Sequence, residues 1–354
     1  MLSVKTTTAA ILVESKQPLV IDEIKLPTDL SPGQVLVEVI SSGICGAQIN
    51  EIDAVKGPDK FLPHLLGHGG FARVLEIGPG VTTVSTDDFV VMHWRPGSGI
   101  QSPPAIYEWK GSRLNAGWVT TFNNHAVVSE NRVTKISPGQ HTKEVLPLLG
   151  CALTTALGVL EKDARVNFRD SLLVFGAGGV GLALIMIAKI FGVNNVVMVD
   201  VSEVKLEHAL NLGALHTVKF TNKAETLDHL KKFYGRLLPS VAIDTTGNTD
   251  AIELCYEVSS NTGRVVLVGV PKSDSKAKIY TLPLHFDKII TGSHGGGSNP
   301  EIDIPTLLDL IDRKVLDFTR YPTKTFKLKE INEAFRELRS KTTAGRLVID
   351  FQLS

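Results

Sequence analysis

The chain has 354 residues, 43% hydrophobic and 21% charged, with 37 Lys and Arg against 37 Asp and Glu. That length exceeds one ordinary core and predicts two domains, and a net charge of zero gives no reason to expect a nucleic-acid or membrane-surface partner. Three scattered cysteines, Cys45, Cys151 and Cys255, exclude a disulfide framework.

The N-terminal MLSVKTTTAAILVESKQ lacks the h-region and cleavage site of a signal peptide. The most apolar later run, VGLALIMIAKIFGV, is too short to span a bilayer and carries Lys189. A cytoplasmic location is therefore expected. Residues 8–150 read as short strands (AAILVE, QVLVEVISSG, FARVLEIG, FVVMHW, FNNHAVVSE, VTKI) separated by Gly, Pro, Asn and Asp clusters, a spacing that predicts an antiparallel, barrel-like module. Trp94 to Trp118 reads as one long Gly/Pro/Ser-rich loop, a length usually reserved for a lid or a functional segment.

From about residue 153 strands alternate with helices: SLLVFGAGGVGLALIMIAKIFG, NVVMVDVS, SEVKLEHALNLG, SVAIDTTG, TDAIELCYEVS and GRVVLVGV. This alternation predicts a doubly wound parallel sheet, and the continuous apolar runs fit strands buried on both faces. After GSHGGG the pattern turns helical and closes with the strand GRLVIDF. The tail is expected to return to the first domain, so that residues 1–152 and 298–354 form one domain and 153–297 an inserted one.

VFGAGGVG places Gly176, Gly178 and Gly181 in G-x-G-x-x-G spacing between a strand and a helix, the context in which that pattern indicates a dinucleotide site. The first glycine permits the turn, the second admits the pyrophosphate and the third lets helix and strand pack closely. The helix N-terminus offers unpaired N–H groups to phosphate. Asp200 ends the next strand, 19 residues after Gly181. A carboxylate there binds ribose hydroxyls and repels a 2′-phosphate, which favours NAD(H).

Cys45 in GICGAQ, His68 in LLGHGG and Cys151 in LLGCALTT each sit beside glycine at an element end. Two cysteines and one histidine can hold a catalytic zinc with an open fourth position. On residues alone, buried thiols and a satisfied loop histidine are the more usual account of the same three positions.

Taken together, SGICG, LLGHGG, EIGPGV, GCALTTALG, VFGAGGVG, VMVDVSEVKLEHALNLGA, DTTGN, LVGV and GSHGGG appear in an order that resembles the medium-chain dehydrogenase/reductase superfamily, zinc alcohol dehydrogenase type. The resemblance covers almost the whole chain. It implies a GroES-like antiparallel β-barrel catalytic domain joined to a Rossmann doubly wound parallel sheet. It implies that Cys45, His68 and Cys151 hold one catalytic Zn2+, and that Lys205 reaches the adenosine ribose. Val180, Thr245, Val268, Val270 and Thr155 would flank the nicotinamide, and Arg346 the pyrophosphate. Trp94 would wall the substrate pocket, with Arg95 beside it as a possible carboxylate or phosphate partner.

The chain departs from the family pattern in three places. Gly69 stands where relatives carry Glu, and such a loss beside a ligand often weakens metal affinity or activity about 10–100-fold. Ala47 stands where many relatives start a proton relay with Ser or Thr, leaving Gln48, Asn50, Glu51 or water as substitutes. The 94–118 segment has no cysteines, so the structural zinc of many relatives is not expected. The expected activity is interconversion of a secondary alcohol of sugar, cyclitol or polyol type and its ketone. One alternative is a relative with impaired zinc chemistry that reduces carbonyls or quinones with NAD(P)H. Another is an NAD-binding protein without catalysis. The family further implies a homodimer, or else a homotetramer, joined through a sheet edge supplied by GRVVLVGVP and KIYTLPL.

Overall fold

In a computed structural model, residues 2–139, 141–340, 343 and 345–353 are described. The strand Gln34–Ile44 is the seam of the first module. Val35, Leu36 and Val37 are all fully buried, because this strand has neighbours on both edges and both faces. Gly70–Ile77 pairs antiparallel along one edge, while His125–Ser129 and Arg346–Asp350 pair with successive parts of the strand. The C-terminal segment thus joins a sheet begun at residue 34. Seven strands form this sheet, and five more (His64–Leu65, Thr6–Leu12, Val20–Lys25, Tyr107–Trp109 and Ser112–Leu114) form a second. The pairing is antiparallel as expected, except that Thr323–Phe326 runs parallel to Arg346–Asp350.

The Trp94–Trp118 segment is not a continuous loop. Tyr107–Trp109 and Ser112–Leu114 form a hairpin. Its turn is set by Lys110 (φ 51°) and Gly111 (φ 76°), the two positive φ values that match the natural twist of a tight hairpin. Tyr107 is 2% exposed and its hydroxyl accepts from the Val127 N–H at 2.8 Å, and the Trp109 indole donates to Asp22 at 2.9 Å. Both aromatics are therefore committed to this sheet and its packing.

The second module is a six-stranded parallel sheet. Its spatial order is His216–Lys219, Val196–Asp200, Leu172–Phe175, Val241–Asp244, Arg264–Leu267 and Ile289–Gly292. In chain order this is 3-2-1-4-5-6, which reverses direction between Leu172–Phe175 and Val241–Asp244. Phe175 pairs with Asp244 in register, so the Gly176 turn and Thr245 emerge side by side at the reversal. The molecule is thus an α/β protein with a GroES-like, barrel-like antiparallel module and a parallel doubly wound sheet. The strand Arg264–Leu267 is interior to that sheet; the edge is Ile289–Gly292, because KIITG adds one further strand beyond GRVVLVGVP. The helix Gly179–Ala188 is buried from Gly181 onward and packs on helix Ala152–Gly158, which explains its lack of a polar face. Among the described residues no helix is long and apolar enough to cross a membrane.

Candidate metal and dinucleotide site

Cys45, His68 and Cys151 come from three separate elements. Cys45 is the N-cap of helix Gly46–Ile52, and Cys151 that of helix Ala152–Gly158. His68 lies just before strand Gly70–Ile77. Sheet pairing joins the first two elements: Ser42 is opposite Gly70, and the Gly43 N–H donates to the Gly69 carbonyl at 3.0 Å. The donor atoms of all three residues lie within 4.8 Å of one another, and Cys45 Sγ stands 3.3 Å from His68 Nε2. Zinc bonds of about 2.0–2.3 Å place tetrahedral donors roughly 3.3–3.8 Å apart, so two thiolates and an imidazole at this spacing fit a zinc ion with one open position. A cavity lined by Gly43, Cys45, His68, Gly69, Cys151 and Arg346 adjoins them.

The charges within the cluster support one another. The Cys151 thiol donating to Cys45 draws the Cys45 pKa well below the ordinary thiol value, against burial and with help from His68. Cys151, left holding that shared proton, is pushed well above it by the same bond and by burial. Burial disfavours the His68 cation, but the Cys45 thiolate beside it more than compensates and leaves its pKa raised. Crowding by protein raises the Glu51 carboxyl as well, with His68 and His64 pulling it back.

Gln48 is fully buried. Its carbonyl oxygen accepts from the Cys45 N–H at 2.6 Å, and its amide nitrogen stands 3.2 Å from His68 Nδ1. Ala47 is exposed on the same short helix, and its methyl group can neither donate nor accept a hydrogen bond. Gly69 has an ordinary backbone: a Cβ there would meet the Pro147 carbonyl at 3.3 Å and Cys151 Cβ at 3.6 Å. The lack of an acid at 69 is therefore not forced by backbone conformation.

At the sheet reversal the three glycines differ in surroundings. Gly176 has φ 98°, and a Cβ there would stand 2.3 Å from Thr245 Oγ1. Gly178, the N-cap of helix Gly179–Ala188, has nothing within 4 Å of its Cβ position. Gly181 abuts the Gly176 carbonyl. Asp200 accepts from the Ala177 N–H at 2.7 Å and the Ser202 N–H at 2.9 Å, which places its carboxylate beside the glycine turn. Thr245 Oγ1 donates to the Phe175 and Gly176 carbonyls at 2.8 and 3.0 Å. Val180 lies in the first turn of that helix, and Lys205 in the first turn of Glu203–Leu212. Val268 and Val270 follow strand Arg264–Leu267, with Val270 facing solvent. Thr155 is buried in helix Ala152–Gly158, where a Cβ on Gly296 would come 2.6 Å from its carbonyl.

Arg346 joins the two sites. It is buried, donates to the Ile44 carbonyl at 3.0 Å and holds its charge beside the Cys45 and Cys151 thiols. Its guanidinium also lies against Gly179, where a Cβ would touch Cζ at 3.0 Å. The Tyr321 hydroxyl donates to the Gly179 carbonyl at 2.7 Å, and burial pushes that phenol up to about 12.

Trp94 and Arg95 are partly buried, and both meet His294 of the GSHGGG segment. The Trp94 and His294 rings meet edge to face at 5.1 Å, and Arg95 Nη1 donates to His294 Nδ1 at 2.6 Å. Sequence reasoning passed over His294, Tyr321 and the buried position of Gln48. The first two are near-neighbours of the site only through contacts far apart in the chain, and the glycine run around His294 was the sole local hint.

Comparison with known proteins places both modules. Residues 31–138 match the alcohol dehydrogenase GroES-like domain, and residues 179–313 the zinc-binding dehydrogenase domain. An alcohol dehydrogenase class-3 of Cereibacter sphaeroides is 27% identical over 369 residues, covering 93% of this chain and 96% of its own. The crystal structure of an alcohol dehydrogenase zinc-binding domain protein from Burkholderia ambifaria superposes with a TM-score of 0.87 at 25% identity, over 98% of this chain and 99% of the other. That of benzyl alcohol dehydrogenase from Acinetobacter calcoaceticus gives 0.86 at 24% identity, again over 98% and 99%, a likeness of fold.

Proposed function

The chain belongs to the medium-chain dehydrogenase/reductase superfamily, zinc alcohol dehydrogenase type, and from that premise we propose that it interconverts a secondary alcohol and its ketone by hydride transfer, using NAD(H) and one catalytic zinc per chain. The observation that carries the reading is the Cys45–His68–Cys151 cluster, joined through Arg346 to the N-terminus of the helix behind the glycine turn. Zinc bound there supplies a Lewis acid that polarises the substrate oxygen and lowers the pKa of an alcohol; the nicotinamide supplies the hydride chemistry.

The chain's own residues do the rest. Cys45, His68 and Cys151 hold the metal, and Arg346 offsets the thiolate charge while facing the pyrophosphate. Gly178 admits that pyrophosphate to the helix N-terminus, Asp200 with Lys205 holds the adenosine ribose, and Thr155, Val180, Thr245, Val268 and Val270 flank the nicotinamide. Glu51, whose carboxyl is held above its ordinary pKa by loss of solvation, holds and passes the proton at its carboxylate where Ala47 cannot. Gln48, buried and engaged at both ends of its amide, serves the ligands rather than a relay to solvent.

Trp94, Arg95 and His294 together present a ring face and polar groups, which support a sugar, cyclitol or polyol over a simple primary alcohol. Residues 1–152 with 298–354 and residues 153–297 are proposed as the two domains. A homodimer is supported by exposed Tyr280, Leu282, Phe286 and Ile289 beside the edge strand Ile289–Gly292. A cytoplasmic location is part of the same reading.

A second reading, carbonyl or quinone reduction without zinc, is favoured by one feature: positions 48 and 69, next to the ligands, carry no negative charge. The deciding experiment is a turnover panel of polyols, cyclitols, primary alcohols and quinones with NAD(H) and NADP(H), before and after chelation. Polyol oxidation with NAD+ that is lost on chelation supports the proposal. Chelator-insensitive quinone reduction contradicts it.

A further inference from the structure

We propose that Gln48 is the positioning residue that sets how tightly this site holds zinc, and that it does so by leaving a donor–donor conflict around His68. The inference rests on the metal reading above. Gln48 is the third residue of helix Gly46–Ile52 and reaches back to the N-cap, the reciprocal arrangement that fixes many helix starts. It is fully enclosed, so no solvent relieves its hydrogen-bond demands.

A primary amide has one accepting end and one donating end. The Gln48 oxygen accepts from the Cys45 N–H at 2.6 Å, which turns the amide NH2 toward His68 Nδ1 at 3.2 Å. That pairing is satisfied only while Nδ1 is an unprotonated acceptor and Nε2 carries the proton, toward Cys45 Sγ at 3.3 Å. Nε2 is the nitrogen aimed at the thiols, so it is the one that must bind metal. A neutral imidazole that binds through Nε2 carries its proton on Nδ1, and that N–H then faces the Gln48 NH2. Turning the amide over pairs the oxygen with Nδ1–H but sets the NH2 against the Cys45 N–H. Either way one buried N–H loses its acceptor when metal binds. A carboxylate has no donating end and accepts from both. The glutamine therefore favours the metal-free tautomer of His68 and loosens the site.

The test compares metal-stripped full-length wild type with Gln48→Glu, of nearly the same shape. Zinc affinity is measured by competition with a chromophoric chelator, and exchange protection of the His68 Nδ1–H and Cys45 amide protons is read by NMR in the zinc-loaded proteins. NADH binding serves as the check of folding. The expected result is zinc binding at least about tenfold tighter in Gln48→Glu, the scale on which such supporting groups act, with the His68 Nδ1–H and Cys45 amide protons both exchange-protected in the variant and only one of them in wild type. Affinities within about twofold of each other, or both protons already protected in wild type, overturn the inference while leaving the metal reading intact. Wild type that takes up no zinc in a Cys45-dependent manner overturns both.

Discussion

Gly181 packs directly onto the backbone of Gly176: a Cβ at 181 would lie 1.8 Å from the Gly176 carbonyl oxygen. Gly178, between them, would place its Cβ in open space and has an ordinary extended backbone, φ −82° and ψ −169°. The two glycines should therefore fail differently. Gly181→Ala has to push the helix off the turn, and destabilisation of about 2 kcal/mol is expected. Gly178→Ala should leave stability within about 1 kcal/mol of wild type yet weaken NADH binding by about tenfold, or 1.4 kcal/mol. Urea unfolding beside NADH fluorescence titration separates the two. Equal effects on both readouts would mean that the turn does not meet the pyrophosphate.

Asp200 holds the glycine turn, and under the proposed function it also meets the ribose. Replacing it with Ser removes the carboxylate that would repel a 2′-phosphate. The preference for NAD+ over NADP+, read as the ratio of kcat/KM values, should fall by about tenfold or more, equivalent to at least 1.4 kcal/mol. Since Asp200 also accepts from Ala177 and Ser202, a stability loss of about 1 kcal/mol should accompany the change. An unchanged cofactor ratio would assign Asp200 to the turn alone.

His93 gives the fold a pH dependence unrelated to the metal ligands. Its Nδ1–H donates to the Arg95 carbonyl at 2.7 Å, and its Nε2 accepts from Thr134 Oγ1 at 2.9 Å, so the neutral ring meets both partners. Burial lowers its pKa to about 4, against 6.5 for the free group. Between these values the unfolded chain binds a proton that the folded chain does not, so stability rises with pH. The contribution is complete above about pH 6.5 and is lost on acidification toward pH 4, a span of about 3 kcal/mol. His93→Gln should flatten this part of the stability profile, measured by urea unfolding at pH 7 and pH 5. An unchanged slope would place the dependence elsewhere.

Gly67 and Gly69 flank His68 but tolerate side chains unequally. Gly67 has φ 94°, and its Cβ would meet Thr121 Oγ1 at 2.2 Å. Gly67→Ala should cost about 2–3 kcal/mol through strain and overlap. Gly69→Ala, with its nearest contact at 3.3 Å, should change stability by less than about 1 kcal/mol. Thermal unfolding of both variants tests the contrast, and comparable losses would show that position 69 is under conformational constraint too.

Much of the parallel-sheet half was legible because its determinants are local. A strand, three spaced glycines and a helix lie within one short stretch, and Asp200 ends the very next strand. The metal trio was not legible from spacing, since its members meet only after Ser42 pairs with Gly70 and helix Ala152–Gly158 is laid against them. The strand Val20–Lys25 escaped notice because only Ile24 is buried among Asp22, Glu23 and Lys25, which leaves no alternating apolar face to read. The Tyr107–Trp109 hairpin was hidden in a Gly/Pro-rich segment, where three-residue strands are too short to show a period. Gln48 could be named from its position, but which of its atoms faces His68 depends on the helix start that folding creates.

The most direct test of the account is zinc per chain by elemental analysis, on protein purified without added metal, with Cys45→Ser alongside. The account predicts about one zinc per chain in wild type and its loss in the variant. Zinc well below about one-tenth per chain in both proteins would contradict it, and would make LLGHGG a turn rather than a ligand-bearing segment.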